Sequence, residues 1–192
     1  MLDQLSQHAS RAAEFAHQAA SGLSAMLCGL ETNLIPEHGG ICWRIKTPDA
    51  IAAKVRARPV NDFIGIRVLV RHSGILADAL QRIAAWAPQY CLEEKLSQDK
   101  YATPARGGYR AFHVDYEFYH DNRWGLPKEV TVELQLTTWM QNLHSEISHR
   151  LLYKNTSATS SLIITDLEEM STLLYETDAH LATKYASLFR AS

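Results

Sequence analysis

The stretch RPVNDFIGIRVLVRH, residues 58–72, decides how the chain is read. Phe63 to Val70 has the β-branched, apolar content of a buried strand. Asp62 nevertheless opens it and Arg67 interrupts it. A buried charge without a partner costs a large part of a domain's stability, so these two residues are expected to be paired, metal-bound or in use.

Working outward, residues 2–33 carry apolar side chains at Leu5, Ala12, Phe15, Ala19, Leu23, Met26 and Leu30, the spacing of an amphipathic helix, with Gly22 as a candidate break. NLIPEHGG (33–40) reads as a loop and ICWRIK as a strand or extended segment. TPDAIAAKVRAR then starts a helix, with Thr47 as N-cap, Pro48 at the first helical position and Asp49 favouring the dipole; Pro59 ends it. A helix is expected over 74–87, where Ile75, Leu76, Leu80, Ile83 and Trp86 share a face. A glycine-containing loop leads into a strand through YRAFHVDYEF. KEVTVELQLTT alternates with period two, placing Val130, Val132, Leu134 and Leu136 on one face and Thr131, Glu133, Gln135 and Thr137 on the other. Helices over 139–153 and 162–188 close the chain, on either side of the Ser/Thr-rich 155–161. This order predicts an α/β (α+β) domain, a mixed sheet of about five strands flanked by helices.

A length of 192 residues fits one domain, and 46% hydrophobic with 21% charged residues excludes a disordered chain. The formal net charge of -2 supplies no global field for holding long nucleic acid, so a nucleotide or an RNA end is the easier partner. Cys28, Cys42 and Cys91 are odd in number and lack CxxC spacing, which predicts reduced, packed thiols in a cytoplasmic protein. No window reaches the roughly 18 apolar residues of a membrane span, and no signal-peptide core is present, so no membrane partner is expected. A domain cut from a longer secreted chain would read the same way.

Two carboxylates stand where a structural strand would carry apolar or Thr residues: Asp62, and Glu133 beside Gln135. On adjacent strands they would repel unless a divalent cation lay between them or one served as a base. Arg44, Lys46 and Lys54 surround a strand-to-helix turn, where free backbone amides favour phosphate. In RGGYRAFH (106–113) the glycines permit close backbone approach, Tyr109 offers a ring for stacking, and Arg110 and His113 offer donors. His144 and His149 are five apart, the wrong spacing for zinc on one helical face, and neither a Walker loop nor a Gly-x-Ser-x-Gly element occurs.

Taken in order, RIKTPDAIAAK, NDFIGIRV, GGYRAFH, VELQLTT and SHRLLYK resemble the synthetase domain of the RelA/SpoT family, of the stand-alone small alarmone synthetase type, over about residues 40–154. The resemblance implies a nucleotidyltransferase-like synthetase fold in a single domain (1–192) with helical extensions at 1–33 and 162–188. It implies transfer of the β,γ-pyrophosphate of ATP to the 3′-hydroxyl of GDP or GTP, giving (p)ppGpp and AMP. By position, the adenine-holding arginines fall on Arg44 and Arg67 and the donor-phosphate lysines on Lys46 and Lys54. Asp62 matches the aspartate that binds Mg2+, and Glu133 the glutamate that shares the metal and is proposed to activate the hydroxyl. Tyr109 matches the tyrosine that stacks on the acceptor base, with His113 near the acceptor phosphates and Gln135 on the acceptor side. His149, Tyr153 and Lys154 match the end of the helix after the glutamate strand. Asp62 and Arg67 are five apart, so twist or a bulge near Gly65 is expected to bring both to one ligand.

Departures concentrate on the acceptor side. A lysine and an asparagine usual before the Gly-Tyr are Ala105 and Gly107, leaving Arg106 as the substitute. The usual Gln-Ile-Arg-Thr is Gln135-Leu136-Thr137-Thr138, a serine of the donor helix is Ala50, and the glutamate before His149 is Ser148. Two other readings therefore stand: a toxic relative that pyrophosphorylates tRNA 3′ ends or adenosine nucleotides, for which KVRARP (54–59) could grip RNA, and a nucleotide-binding module without catalysis. An antitoxin protein and a homo-oligomer are partners the resemblance raises and the sequence does not decide.

Overall fold

The computed structural model describes residues 2–28, 40–47, 63–154 and 161–189. Helix α1 (Leu2–Leu27) leads to strands β1 (Ile41–Ile45) and β2 (Ile64–Val70), helix α2 (Leu76–Trp86), and strands β3 (Leu92–Asp99), β4 (Phe112–Phe118) and β5 (Val132–Thr138). Helices α3 (Trp139–Lys154) and α4 (Ser161–Phe189) follow. The strands form one five-stranded sheet in the order β1-β2-β5-β4-β3. Among the described strands only β2 and β5 pair in parallel, so the sheet is mixed, as the sequence predicts.

Strand parity separates the two faces of the sheet. Ile64, Ile66, Val68 and Val70 of β2 join Val132, Leu134 and Leu136 of β5 and Val114, Tyr116 and Phe118 of β4 in one buried cluster. Helices α1 and α2 cover that face with Phe15, Ala19, Leu23, Ile83 and Trp86. Each fully buried large apolar side chain contributes about 1.5–3 kcal/mol, and this face is where the sheet is anchored. The opposite face carries the polar alternates, including Arg67, Glu133, Gln135 and His113.

Three expectations change. Gly22 does not break α1; a Cβ there would run into the Tyr90 hydroxyl, so the glycine makes room for the Tyr90 ring against the helix. That ring stacks on Trp86, with centroids 5.2 Å apart. Strand β3 was not foreseen, because LEEKLSQD is an edge strand in which only Leu92 is buried and no apolar alternation exists. The cysteines are free, but Cys28 and Cys42 are exposed rather than packed. The helix expected from Thr47 has its body (48–58) outside the described residues, as are Pro59, Asp62 and the loop 33–39. No helix among the described residues is long and apolar enough to cross a membrane.

Helix α4 is fastened by buried polar groups. Asp178, fully buried, accepts from the Tyr101 hydroxyl at 2.7 Å and the Ser73 amide at 3.1 Å. His72 stacks on Tyr185 at 4.9 Å, and buried His144 donates from Nε2 to the Leu167 carbonyl at 2.9 Å. Burial pushes the pKa of both imidazoles down; the nearby Asp178 opposes this for His72, and the Leu167 carbonyl opposes it for His144. Folding therefore favours the neutral form of both, while the unfolded chain protonates them near the ordinary value of 6.5. Stability from these groups is present above that pH and is lost as the pH falls through the lowered folded values. The urea midpoint should accordingly drop between pH 7.5 and pH 5.5, and a flat midpoint across that window would contradict it.

Candidate functional site

The polar face is organised in rows by strand register. Cys42 pairs with Arg67, Arg67 with Gln135 and Gln135 with His113, giving one row across β1, β2, β5 and β4. The neighbouring row runs Arg44, Gly65, Glu133 and Asp115. Residues directly opposite on neighbouring strands are close enough for their side chains to bond across strands. Sequence-distant polar residues are thus brought together by pairing alone.

A hydrogen-bonded chain joins the rows. Arg67 donates from Nε and Nη2 to Gln135 Oε1 at 3.2 and 3.0 Å, and from Nη1 to Asn142 Oδ1 at 3.0 Å. Gln135 Nε2 donates to Glu133 Oε2 at 2.8 Å. Glu133 Oε1 lies 3.0 Å from His113 Nδ1, and His113 Nε2 lies 2.9 Å from the Tyr109 hydroxyl. Burial raises the Tyr109 pKa to about 12, with Arg67 opposing the shift and Glu133 adding to it, so the phenol keeps its proton at neutral pH.

Gly65 opens the cleft above this chain. A Cβ there would stand 3.2 Å from Arg44 Nε and 3.3 Å from Arg44 Cγ, so the arginine lies across the bare backbone. Cys42, Trp43, Arg44, Gly65, Arg67, Glu133 and Gln135 line a shallow cleft of about 180 Å³. A second cleft of about 360 Å³ lies against Arg67 between Cys42, Trp139, Asn142, Leu143 and Glu146. The bulge expected near Gly65 is absent: β2 pairs without a register shift from Ile64 onward, and the glycine serves to admit Arg44. Whether twist brings Asp62 to the same ligand lies outside the described residues, with Lys54.

The glycine turn before β4 is shaped by α4. Arg106 to Gly108 form a 3-10 turn in which Gly107 and Gly108 have φ of 73° and 80°, a backbone suited to glycine. A Cβ on Gly108 would stand 2.5 Å from Ser171 Cβ, so the close approach admits the chain's own helix. Ser171 donates to the Gly108 carbonyl at 2.5 Å, and the Gly107 amide donates to Glu168 at 3.2 Å. Arg110, offered by the sequence as a donor for ligand, is buried instead, donating to Ser171 and the Tyr101 carbonyl and lying 4.3 Å from the Tyr175 ring centroid. Arg106 is exposed and Tyr109 half-buried at the turn. Lys46 follows β1, its amide donating to the Phe63 carbonyl at 2.9 Å.

The structure thus brings Arg44, Arg67, Glu133, Gln135, His113 and Tyr109 together. Asn142, Asp115, Glu168 and Ser171 were not singled out from sequence. Asn142 had a usable signal: α3 starts directly after β5, so its first turn stays beside the strand's polar face. As a test for metal, Glu133 offers the hard oxygen donors that Mg2+ takes from one or two carboxylates, the remainder coming from phosphates and water. Among the described residues no group of three or more His, Cys, Asp or Glu is placed to hold a metal ion.

Comparison with known proteins gives three findings. Residues 43–158, more than half of the chain, match the model of a region found in RelA / SpoT proteins. The small alarmone synthetase 1 from Bacillus subtilis has a similar structure, with TM-score 0.69 and 18% identity over 92% of this chain and 95% of that one. The small alarmone synthetase 2 from the same organism gives TM-score 0.68 and 18% identity over 94% and 97%. A GTP pyrophosphokinase family protein from Streptococcus pneumoniae gives 0.65 and 21% over 92% and 93%. The Bacillus subtilis synthetase 1 has also been solved with its product pppGpp and with AMPCPP. No curated protein matches the chain.

Gln135 is the hub of the chain of bonds, so Gln135→Leu should strip partners from half-buried Arg67 and Glu133. Unfolding free energy is expected to fall by about 1–3 kcal/mol in urea titration, and an unchanged value would show that the hub is not structural.

Proposed function

The chain belongs to the RelA/SpoT family, and from that premise we propose that it is an ATP-dependent pyrophosphokinase forming (p)ppGpp from GDP or GTP. The observation that carries this reading is Glu133 in the cleft it lines with Arg44 and Arg67, held in place by bonds to Gln135 and His113. Adenine fits between the two guanidinium groups, whose planar cations suit a π face. Lys46 and Lys54 neutralise the donor phosphates. The acceptor base stacks on Tyr109, with Arg106 along its path, while His113 and Gln135 hold Glu133 beside it. Asp62 and Glu133 would hold Mg2+, which when bound offsets the charge of the phosphates.

Glu133 accepts the proton of the acceptor 3′-hydroxyl as its oxygen bonds to the β-phosphorus. The bond from that phosphorus to the α,β-bridging oxygen breaks, and AMP leaves with that oxygen. The domain is one synthetase unit of about 40–154 with the terminal helices as extensions. ATP and a nucleotide acceptor are its partners.

A second reading has its own support. Arg110 is turned inward and Glu168 sits on the glycine turn, so the acceptor wall offers Arg106 against an added carboxylate. An acceptor with few 5′-phosphates, such as an adenosine nucleotide or the 3′ end of tRNA, suits that balance better than GTP. Nucleotide binding without turnover would leave the non-catalytic module.

Incubation with γ-labelled ATP, magnesium and, separately, GDP, GTP, AMP, ADP and deacylated tRNA decides among these. Label is expected on a guanosine nucleotide; label only on adenosine nucleotides or tRNA would replace the first reading by the second. Glu133→Gln and Asp62→Asn should each lower the rate on the order of 10² or more, and near-wild-type turnover in either would sink the mechanism.

A further inference from the structure

The Glu133 carboxylate is held from both sides, and one of the holders is a histidine whose other nitrogen is also engaged. When ionised, Glu133 can only accept, so the 3.0 Å contact to Oε1 requires a proton on His113 Nδ1. In the neutral imidazole His113 Nε2 is then an acceptor, and the Tyr109 hydroxyl at 2.9 Å donates to it. On the other flank Arg67 is a donor only, which turns Gln135 Oε1 toward it and leaves the amide nitrogen to face Glu133 Oε2 at 2.8 Å. These assignments agree with one another along the series from Asn142 to Tyr109.

We propose that His113 is a positioning residue for Glu133, locked in the Nδ1–H tautomer by that carboxylate and by Tyr109, rather than a ligand of the acceptor phosphates. This rests on the reading of Glu133 as the base and adds how it is aimed. Both ring nitrogens are used within the protein, so His113 lacks a free N–H to offer a phosphate in this arrangement. The half-buried ring sits in the same row as Gln135, which lets the two partners grip the carboxylate from neighbouring strands. An acceptor base resting on Tyr109 thereby touches the residue that is bonded, through His113, to the base catalyst. A misplacement of about 1 Å at such a group costs on the order of 10²-fold in rate.

Two measurements separate this from a phosphate-binding role. His113→Ala should lower kcat by roughly tenfold to hundredfold while leaving KM for ATP and acceptor nearly unchanged. His113→Asn, whose amide nitrogen replaces Nδ1–H, should restore most of that loss. A loss that falls on acceptor KM, and grows with the number of 5′-phosphates on the acceptor, would overturn the proposal. Imidazole 15N NMR of the metal-free protein provides the second readout. The wild type should show His113 as a single Nδ1–H tautomer that gives way to a mixture in Glu133→Ala. A dominant Nε2–H form, or a spectrum indifferent to Glu133→Ala, would overturn it. If the wild type transfers label to no acceptor, the proposed function fails, and the NMR result still decides whether His113 holds Glu133.

Discussion

The in-register pairing of β5 with β2 on one side and β4 on the other is the constraint on which the rest depends. Because side chains alternate with period two, this register puts Ile66, Leu134 and Val114 into the core and Arg67, Gln135 and His113 on the opposite face at once. A slip of one residue in β5 would bury Glu133 among the aliphatic side chains and expose Val132 and Leu134. The apolar cluster therefore enforces the polar row. Energy gained on the α1 and α2 side holds geometry on the other, which is how a sheet supplies a rigid platform for chemistry without spending the reacting groups on stability.

The second constraint comes from the C-terminal helix. Ser171 and Glu168 bond the two glycines of the 106–108 turn, while Asp178 ties the same helix to Tyr101 and Ser73. Tyr109 follows that turn directly, so its ring, proposed to stack on the acceptor base, is placed by α4 as much as by the sheet. Such buried polar contacts are costly when only partly satisfied, which gives the helix one preferred seat. The link from packing to function thus runs through residues far from Glu133 in sequence.

Much of this was legible in the sequence, for identifiable reasons. The alternation in VELQLTT gives both the strand and the outward face of Glu133, and the apolar run after Asp62 gives its neighbour. Strand β3 was hidden because an exposed edge strand has no buried face to impose a pattern. Gly22 was misread because a glycine that admits Tyr90 looks, in sequence, like one that breaks a helix, while the close backbone approach expected at Gly108 is taken up by Ser171 of the chain's own helix. The direction of Arg110 was illegible because it depends on α4, about 60 residues away in the chain. Gly65 suggested a bulge, whereas the regular strand uses its missing side chain to seat Arg44.

The most direct test of the central claim is a crystal structure of the protein with magnesium and an α,β-methylene analogue of ATP. The account predicts adenine between Arg44 and Arg67, the metal between Asp62 and Glu133, and the β-phosphorus facing the Tyr109 side of Glu133. A nucleotide bound outside the cleft, or bound there with Glu133 turned away from both metal and phosphate, would contradict it.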